Sequence, residues 1–287
     1  RKWRDFSLIR ILLTAPYWTA GLEQGKVKVS DHFNCPGFRI VEDRRIRCHK
    51  TTGHGSETFR EGIMNSCNPV FMEVGARVGV DGMYDMFQKL GLFEKTGIDL
   101  PGEASSIMHK KKNVKVVELA TMSFGQSIQI TPLQLLRAAS AVVNGGKLIT
   151  PHFGVRVVSA DGEEEKTLKY TEEKGVIQKE TSETMRELLE AVVSEGSGKN
   201  CKIEGFSIGG KTATSEKLPR GNGKYISSFL GFAKAENPTV MGIVLIDEPE
   251  GTYYGGTIAA PVMRSVFQVA LPYLGISKDY TVKKESE

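Results

Sequence analysis

The chain has 287 residues, 40% of them hydrophobic, which is enough to bury one large core or two smaller ones. Its 38 basic and 34 acidic residues are spread along the whole length and leave a net charge of +4 with no dense basic block, so nucleic acid is not the expected partner. No run of about 18 apolar residues exists, the first residue is Arg1, and no signal segment can be read; the N-terminus is taken as a cut, with any membrane anchor outside the chain.

Residues 1–25 are apolar and basic without clean periodicity, and residues 8–13 predict a short helix ending before Pro16. Residues 31–57 are rich in Gly, His, Cys and charge, and alternation at Phe38, Ile40 and Ile46 predicts a small hairpin within a loop-rich insertion. A helix is expected over 58–66, capped by Thr58 with Glu61 three residues on, and helical spacing resumes over 70–90 until Gly91. Asp99-Leu-Pro-Gly is turn chemistry, and the lysines at 110–112 read as a solvated loop. Helices follow over 116–123 and 132–144, the second opened by Thr131 and closed by Gly145-Gly146. Residues 148–158 and 166–176 predict strands around the turn Ala160-Asp-Gly, and 181–193 an amphipathic helix. Residues 206–215, 225–233 and 240–247 are strand-length runs with short links and should pair antiparallel. A helix over 258–274 closes the order, and the whole predicts an α+β fold with an antiparallel sheet flanked by helices.

Two local signals carry chemistry. Ile208-Gly-Gly-Lys-Thr-Ala-Thr-Ser215 places a lysine and a threonine on a strand, behind two glycines that let backbones approach closely. Lys211 offers a cation and Thr212 a hydroxyl donor, a pairing that suits a carboxylate, and a strand edge offers main-chain groups to an extended ligand. The same stretch meets the pattern of a phosphate loop, Gly205 followed by Gly210-Lys211-Thr212. Such a loop must open a helix, however, and residues 213–233 read as strand, turn and strand. The second signal is Ser66-Cys-Asn68, a hydroxyl and a carboxamide two apart at a break between helices, which alone reads as a helix cap.

Together, Ser-x-Asn followed about 140 residues later by Lys-Thr-small on a strand matches the second and third signatures of the penicillin-recognising serine transferases. From about residue 20 to 275 the chain resembles class B penicillin-binding proteins, in particular sporulation-type and elongation-type members from clostridia-like Gram-positive bacteria. The resemblance also rests on Gly125-Gln with Thr131-Pro-Leu-Gln134, on Asn144-Gly-Gly-Lys-Leu148, on Tyr225-Ile-Ser-Ser-Phe-Leu-Gly-Phe232 and on Tyr254-Gly-Gly-Thr-Ile-Ala-Ala-Pro-Val262. A β-lactamase or a carboxypeptidase shares the fold but not the stretches at Thr131 and Tyr254.

The resemblance implies a penicillin-binding transpeptidase, serine β-lactamase-like fold over residues 20–275, with 31–57 as the insertion, 276–287 as a polar tail and 1–19 as a disrupted or truncated segment. It further implies a peptidoglycan D,D-transpeptidase on the extracytoplasmic face of the plasma membrane, anchored by a segment absent from this chain. Its partners would be the D-Ala-D-Ala stem peptide, the β-lactams that mimic it, and a wall-synthesis glycosyltransferase. By carry-over, Ser66 relays a proton toward the leaving group and Asn68 holds the stem-peptide amide. Lys211 and Thr212 bind the terminal carboxylate, next to Ala213 where glycine is commoner, and the Thr214 N–H supplies half of the oxyanion hole. Acyl transfer of this kind requires no cofactor.

The first signature of the family, Ser-x-x-Lys about a dozen residues before Leu22-Glu-Gln-Gly-Lys-Val27, is missing, and Ile11 and its neighbours stand in its place. Ser7-Leu-Ile-Arg10 is the nearest substitute; it lies about four residues too early and ends in an arginine that cannot shed its proton, so Ser7 is a poor nucleophile candidate. Either the chain is a pseudoenzyme that binds stem peptides or partners, or the reading frame upstream of about residue 19 is wrong, and the abrupt return of the family pattern favours the second. The insertion itself gathers Asp31, Cys35, Cys48 and His54, a set that suits zinc and that the resemblance to clostridial proteins supports. A Cys35–Cys48 disulfide is the other reading, while Cys67 and Cys201 read as inert packing thiols.

Overall fold

The computed structural model of the protein describes residues 14–126, 128–217 and 221–279. The chain enters as α1 (Thr14–Glu23), which runs through Pro16 where a stop was expected; the helix predicted over 8–13 and the candidate Ser7 lie outside the described residues. The insertion folds as β1 (His32–Cys35), β2 (Phe38–Val41), β3 (Arg44–Arg47) and β4 (Gly55–Thr58). β1 pairs antiparallel with β4, and β2 with β3 as the expected hairpin, Phe38 opposite Arg47.

α2 (Phe59–Met64) starts where Thr58 and Glu61 form the predicted capping box: the Thr58 hydroxyl accepts from the Glu61 N–H at 3.2 Å, and the Glu61 carboxylate accepts from the Thr58 N–H at 2.6 Å. α3 (Asn68–Lys89) is kinked at Gly79, and α4 (Val116–Ser123) and α5 (Pro132–Val143) follow. The Thr131 hydroxyl caps α5 by accepting from Gln134 N–H at 3.2 Å. The expected pair of long strands is instead two short ladders, β5 (Lys147–Ile149) with β8 (Glu172–Lys174) and β6 (Arg156–Val158) with β7 (Glu164–Thr167). The pair separates at the Pro151–Gly154 bend, where the Asp99 carboxylate accepts from the N–H groups of Phe153 and Gly154 at 3.0 and 2.7 Å in place of a ladder.

α6 (Lys179–Ser194) leads to the main sheet, β9 (Ile208–Glu216), β10 (Tyr225–Ala233) and β11 (Val240–Asp247), antiparallel in the order β11-β10-β9, and α7 (Gly255–Tyr273) closes it. β10 is the central strand and is buried almost end to end because helices cover both faces. Phe229 and Ala233 face α7, against Met263 and Phe267, whereas Leu230 and Phe232 join the larger core of α1, α3, α5 and α6. Phe229, Phe232 and Phe267 are each essentially inaccessible to solvent, and burial of such a ring contributes roughly 1.5–3 kcal/mol. α1 and α3 meet through Trp18 on Phe71, ring centroids 4.8 Å apart, and Tyr17 edge-on to Phe87 at 5.4 Å.

The C-terminal stretch expected as a polar tail is tied down through residue 279. The Asp279 carboxylate accepts from Ser207 N–H at 2.9 Å and its own N–H donates to Gly205 O at 2.7 Å, which fixes the lead-in to β9. No helix among the described residues is long and apolar enough to cross a membrane.

Candidate active site

Ser66 owes its position to the way α2 ends. The Cys67 N–H reaches back to Gly62 O at 2.8 Å and the Ser66 N–H to Ile63 O at 3.2 Å. This double closure needs a left-handed residue at the first position past the cap, and Ser66 supplies it at φ 55° where glycine is usual. Its side chain is thereby thrown out of the helix line toward β9, and α3 begins two residues later at Asn68.

β9 brings the other half of the site. Gly209 and Gly210 precede Lys211 because β10 packs its rings beneath them: a Cβ on Gly209 would lie 2.2 Å from the Phe232 ring, and one on Gly210 would lie 2.6 Å from the Phe229 ring. Lys211 is 2% exposed. Its Nζ donates to Ser66 Oγ at 2.8 Å and to Thr212 O at 3.0 Å. Burial lowers its ammonium from 10.5 to about 7, so the side chain is poised between neutral and charged and gains most from an arriving anion. The phosphate-loop reading fails here, since Gly210-Lys211-Thr212 lies inside a strand.

Thr212 Oγ1 lies 3.1 Å from Ser197 Oγ, a residue that sequence reasoning missed. Ser197 follows α6 in the turn Gly196-Ser-Gly198, and its N–H donates to Met64 O at 3.1 Å, tying the end of α2 to β9. A hydroxyl in a Gly-x-Gly turn is too common a pattern to mark a site before the fold brings it there. Thr214 Oγ1 accepts from the Gly255 N–H at 3.0 Å. Gly255 has to be glycine, since a Cβ would meet Ala213 O at 2.3 Å and Ser228 O at 2.4 Å; the Tyr254-Gly-Gly stretch thus seats α7 against the strand that carries the site. Asn68 donates its Nδ2 to Arg47 O of β3 at 3.1 Å. Lys211 on β9 thus meets Ser66 at the α2–α3 turn, with Asn68 two residues beyond, while Thr212 and Thr214 hold their hydroxyls against Ser197 and Gly255.

The insertion holds a second cluster. Cys35, Cys48, His54 and Cys67 each place one ligand atom so that all four lie within 4.8 Å of one another. This corrects the expected set in two places. Asp31 is drawn away by Arg77 of α3, whose Nη1 donates to its carboxylate at 2.9 Å. Cys67, expected to be a packing thiol, takes its place because it sits between Ser66 and Asn68 on the turn that faces the insertion. All four cysteines are free thiols, and Cys201 lies apart from the other three, in the core under α7. A hydrogen bond from Cys67, helped by His49, holds the Cys48 thiol well below its usual range, and the same contact with burial pushes Cys67 up. Glu57 is 3% exposed, its Oε1 lies 3.8 Å from His54 Nδ1, and that oxygen meets no hydrogen-bond donor. Its Oε2 accepts from Asn65 at 3.1 Å.

α1, on the opposite side of Lys211, fits its surroundings poorly. Thr14 Oγ1, Tyr17 OH and Trp18 Nε1 are buried without any hydrogen-bond partner among the described residues. A void of about 10 Å³ between Ala15, Leu189 and Lys211 adjoins them.

The description "Penicillin binding protein transpeptidase domain" matches residues 15–268. The chain is similar to stage V sporulation protein D of Bacillus subtilis, 42% identical over 90% of this chain and 41% of that protein. It is also similar to a probable peptidoglycan D,D-transpeptidase PenA of Neisseria flavescens, 32% identical over 89% of this chain and 62% of that protein. The chain thus spans roughly two fifths to three fifths of these relatives' lengths. The apo crystal structure of penicillin binding protein 3 from Mycobacterium tuberculosis superimposes with a TM-score of 0.85 at 25% identity, covering 95% of this chain and 64% of that one. The α+β fold with its three-stranded antiparallel sheet and flanking helices is the fold expected, and the chain belongs to the penicillin-binding protein transpeptidase-domain family, class B.

Proposed function

We propose that this domain binds the D-Ala-D-Ala end of peptidoglycan stem peptides, and the β-lactams that mimic it, as the D,D-transpeptidase unit of a longer wall-synthesis protein. The observation that carries the reading is the 2.8 Å contact between Lys211 Nζ and Ser66 Oγ. It joins two signals 145 residues apart and sets a desolvated cation beside a hydroxyl. The terminal carboxylate sits on Lys211 and Thr212, Asn68 takes the peptide amide, Ser66 relays a proton through Lys211, and the Thr214 N–H faces the developing oxyanion. The attacking serine and its lysine would come from the family's first signature, in the segment this sequence replaces.

The relatives' printed names support peptidoglycan as the substrate and sporulation as one setting, and a solved complex of the tuberculosis protein with ampicillin, 24% identical, supports β-lactams as ligands. An extracytoplasmic site, anchored outside this chain and working beside a glycosyltransferase, belongs to the same reading. Labelling with a fluorescent penicillin tests the catalytic part. The chain as written gives no covalent band but binds a D-Ala-D-Ala peptide reversibly, whereas restoring Ser-x-x-Lys ahead of α1 yields a labelled band; failure of both peptide binding and labelling in the restored chain would reject the reading.

We also propose that Cys35, Cys48, His54 and Cys67 hold one structural zinc ion. Three sulfurs and one imidazole within 4.8 Å match a closed tetrahedral site with no open position for chemistry. Bound there, the ion would clamp the insertion to the Ser66–Asn68 turn. Elemental analysis of the purified chain should give one zinc per molecule, lost in Cys67→Ser; a metal-free protein with a mapped disulfide in the insertion would exclude it.

A further inference from the structure

Ser66 and Lys211 make a pair that can do chemistry of its own. Ser66 is half-buried, and its Oγ meets Lys211 Nζ at 2.8 Å and no other hydrogen-bond partner among the described residues. Nζ has one further contact, Thr212 O at 3.0 Å, and a carbonyl can only accept. In the neutral amine the groups therefore sort themselves. A hydrogen goes to Thr212 O, and the lone pair takes the Ser66 hydroxyl proton, the only proton that either contact offers.

The surroundings make that neutral form accessible. Ala15 of α1, Ala139 and Val142 of α5, Leu189 of α6 and Leu230 of β10 line the void beside Lys211, and no charged group lines it. Desolvation therefore acts alone on the amine and brings it down to about 7. Ser66, for its part, stands at φ 55° in the tight turn between α2 and α3, which holds its hydroxyl clear of both helices. Sharp turns present nucleophilic serines in the same way elsewhere.

We propose that Ser66 and Lys211 are a serine–lysine dyad that hydrolyses small uncharged carboxylic esters, with Ser66 as nucleophile and Lys211 as its base. Ser66 Oγ bonds to the acyl carbon while its proton passes to Lys211 Nζ; the ester C–O bond breaks, and the alcohol leaves with that proton. Water then attacks the acyl-serine, the bond to Oγ breaks, and a water proton returns through Lys211 to Ser66. Ester and water give acid and alcohol with no other reactant. An acid seated on Lys211 holds the ammonium form and silences the base, so on the D-Ala-D-Ala reading a penicillin blocks the dyad instead of acylating it. The dyad itself stands on the Ser66–Lys211 contact and goes beyond that reading.

A fluorophosphonate probe tests the pair, since it brings no acid: Ser66 Oγ bonds to phosphorus, fluoride leaves, and Lys211 takes the proton. With the 287-residue chain at about pH 8 it should leave one adduct, mapped by mass spectrometry to the peptide that carries Ser66. Labelling should slow about tenfold per pH unit below about 7 and fall by roughly 10²-fold or more in Lys211→Met. Turnover of p-nitrophenyl acetate should follow the same pH profile and be lost in Ser66→Gly, which keeps the turn. Urea unfolding of both variants separates lost chemistry from lost fold. No adduct, an adduct on another residue, or a labelling rate unmoved in folded Lys211→Met overturns the dyad. Failure of the D-Ala-D-Ala reading looks different: Ser66 is labelled equally fast with and without saturating D-Ala-D-Ala peptide, and the dyad stands while the peptide assignment falls.

Discussion

β9 and α1 approach Lys211 from opposite sides, and the sequence fits one of them far better than the other. On β9 the polar atoms are matched: Lys211 meets Ser66 and Thr212 O, Thr212 meets Ser197, and Thr214 meets the Gly255 N–H. On α1, Thr14, Tyr17 and Trp18 carry buried polar atoms that meet no partner among the described residues, where an unmet buried polar group costs about 1–3 kcal/mol. The strand side is intact in its polar contacts, and the helix packed beside it is not.

The largest effect expected of any change lies in the insertion that braces the intact side. If the proposed zinc is held there, Cys48→Ser removes one of its three sulfur ligands, and because a closed zinc site converts metal affinity directly into folding free energy, zinc content should fall to nothing and thermal unfolding should come earlier by about 10 °C or more, consistent with several kcal/mol. An unchanged melting temperature would show that β9 and its turn need no brace.

Next comes Lys211 itself. The unfolded lysine titrates at 10.5 and the folded one at about 7, so between those values the unfolded chain binds more protons than the folded one. Folding stability attributable to Lys211 therefore rises with pH across that window and is lowest below it. Lys211→Met should be more stable than the parent near neutral pH, by on the order of 1–3 kcal/mol. The stability difference between the two proteins should close as the pH climbs toward about 10, and urea unfolding of both at several pH values measures it; parallel pH profiles would mean that Lys211 is not desolvated.

The α1 side is sharpened by Tyr17→Phe. Burial pushes the Tyr17 hydroxyl well up and no acceptor meets it, so its removal should raise stability by about 1 kcal/mol, a melting-temperature gain of roughly 2–4 °C; a loss instead would reveal a partner for that hydroxyl. The smallest effect belongs to Ser66→Gly, which relieves the left-handed backbone by a few tenths to about 1 kcal/mol while deleting the hydroxyl on Lys211. Stability held or slightly raised, together with weaker peptide binding, would separate the turn's geometry from its chemistry.

What the sequence made legible follows the range of the interactions. Thr58 with Glu61, Thr131 before Pro132, and the three strands with their glycines are local patterns, and each stands within a residue or two of its expected place. The pairing of Ser66 with Lys211 was legible because two short motifs with a known order fix it. The ligand set was not, because it is decided in three dimensions: Arg77 lies 46 residues beyond Asp31 and takes it away, and Cys67 joins only once the α2–α3 turn folds onto the insertion. Ser197 escaped for the same reason. α1 resisted because its apolar positions have no clean period to read.

The most direct test of the account is the affinity of a D-Ala-D-Ala peptide for the parent chain and for Lys211→Met, measured by calorimetry from about pH 6 to about pH 9. If the terminal acid lands on Lys211, binding takes up a proton above neutrality, and affinity falls with pH by up to about tenfold per unit beyond the lysine's lowered pKa. The substitution should abolish both the affinity and its pH slope. A peptide that binds both proteins alike, with no dependence on pH, would contradict the placement of the carboxylate and with it the function drawn from this cleft.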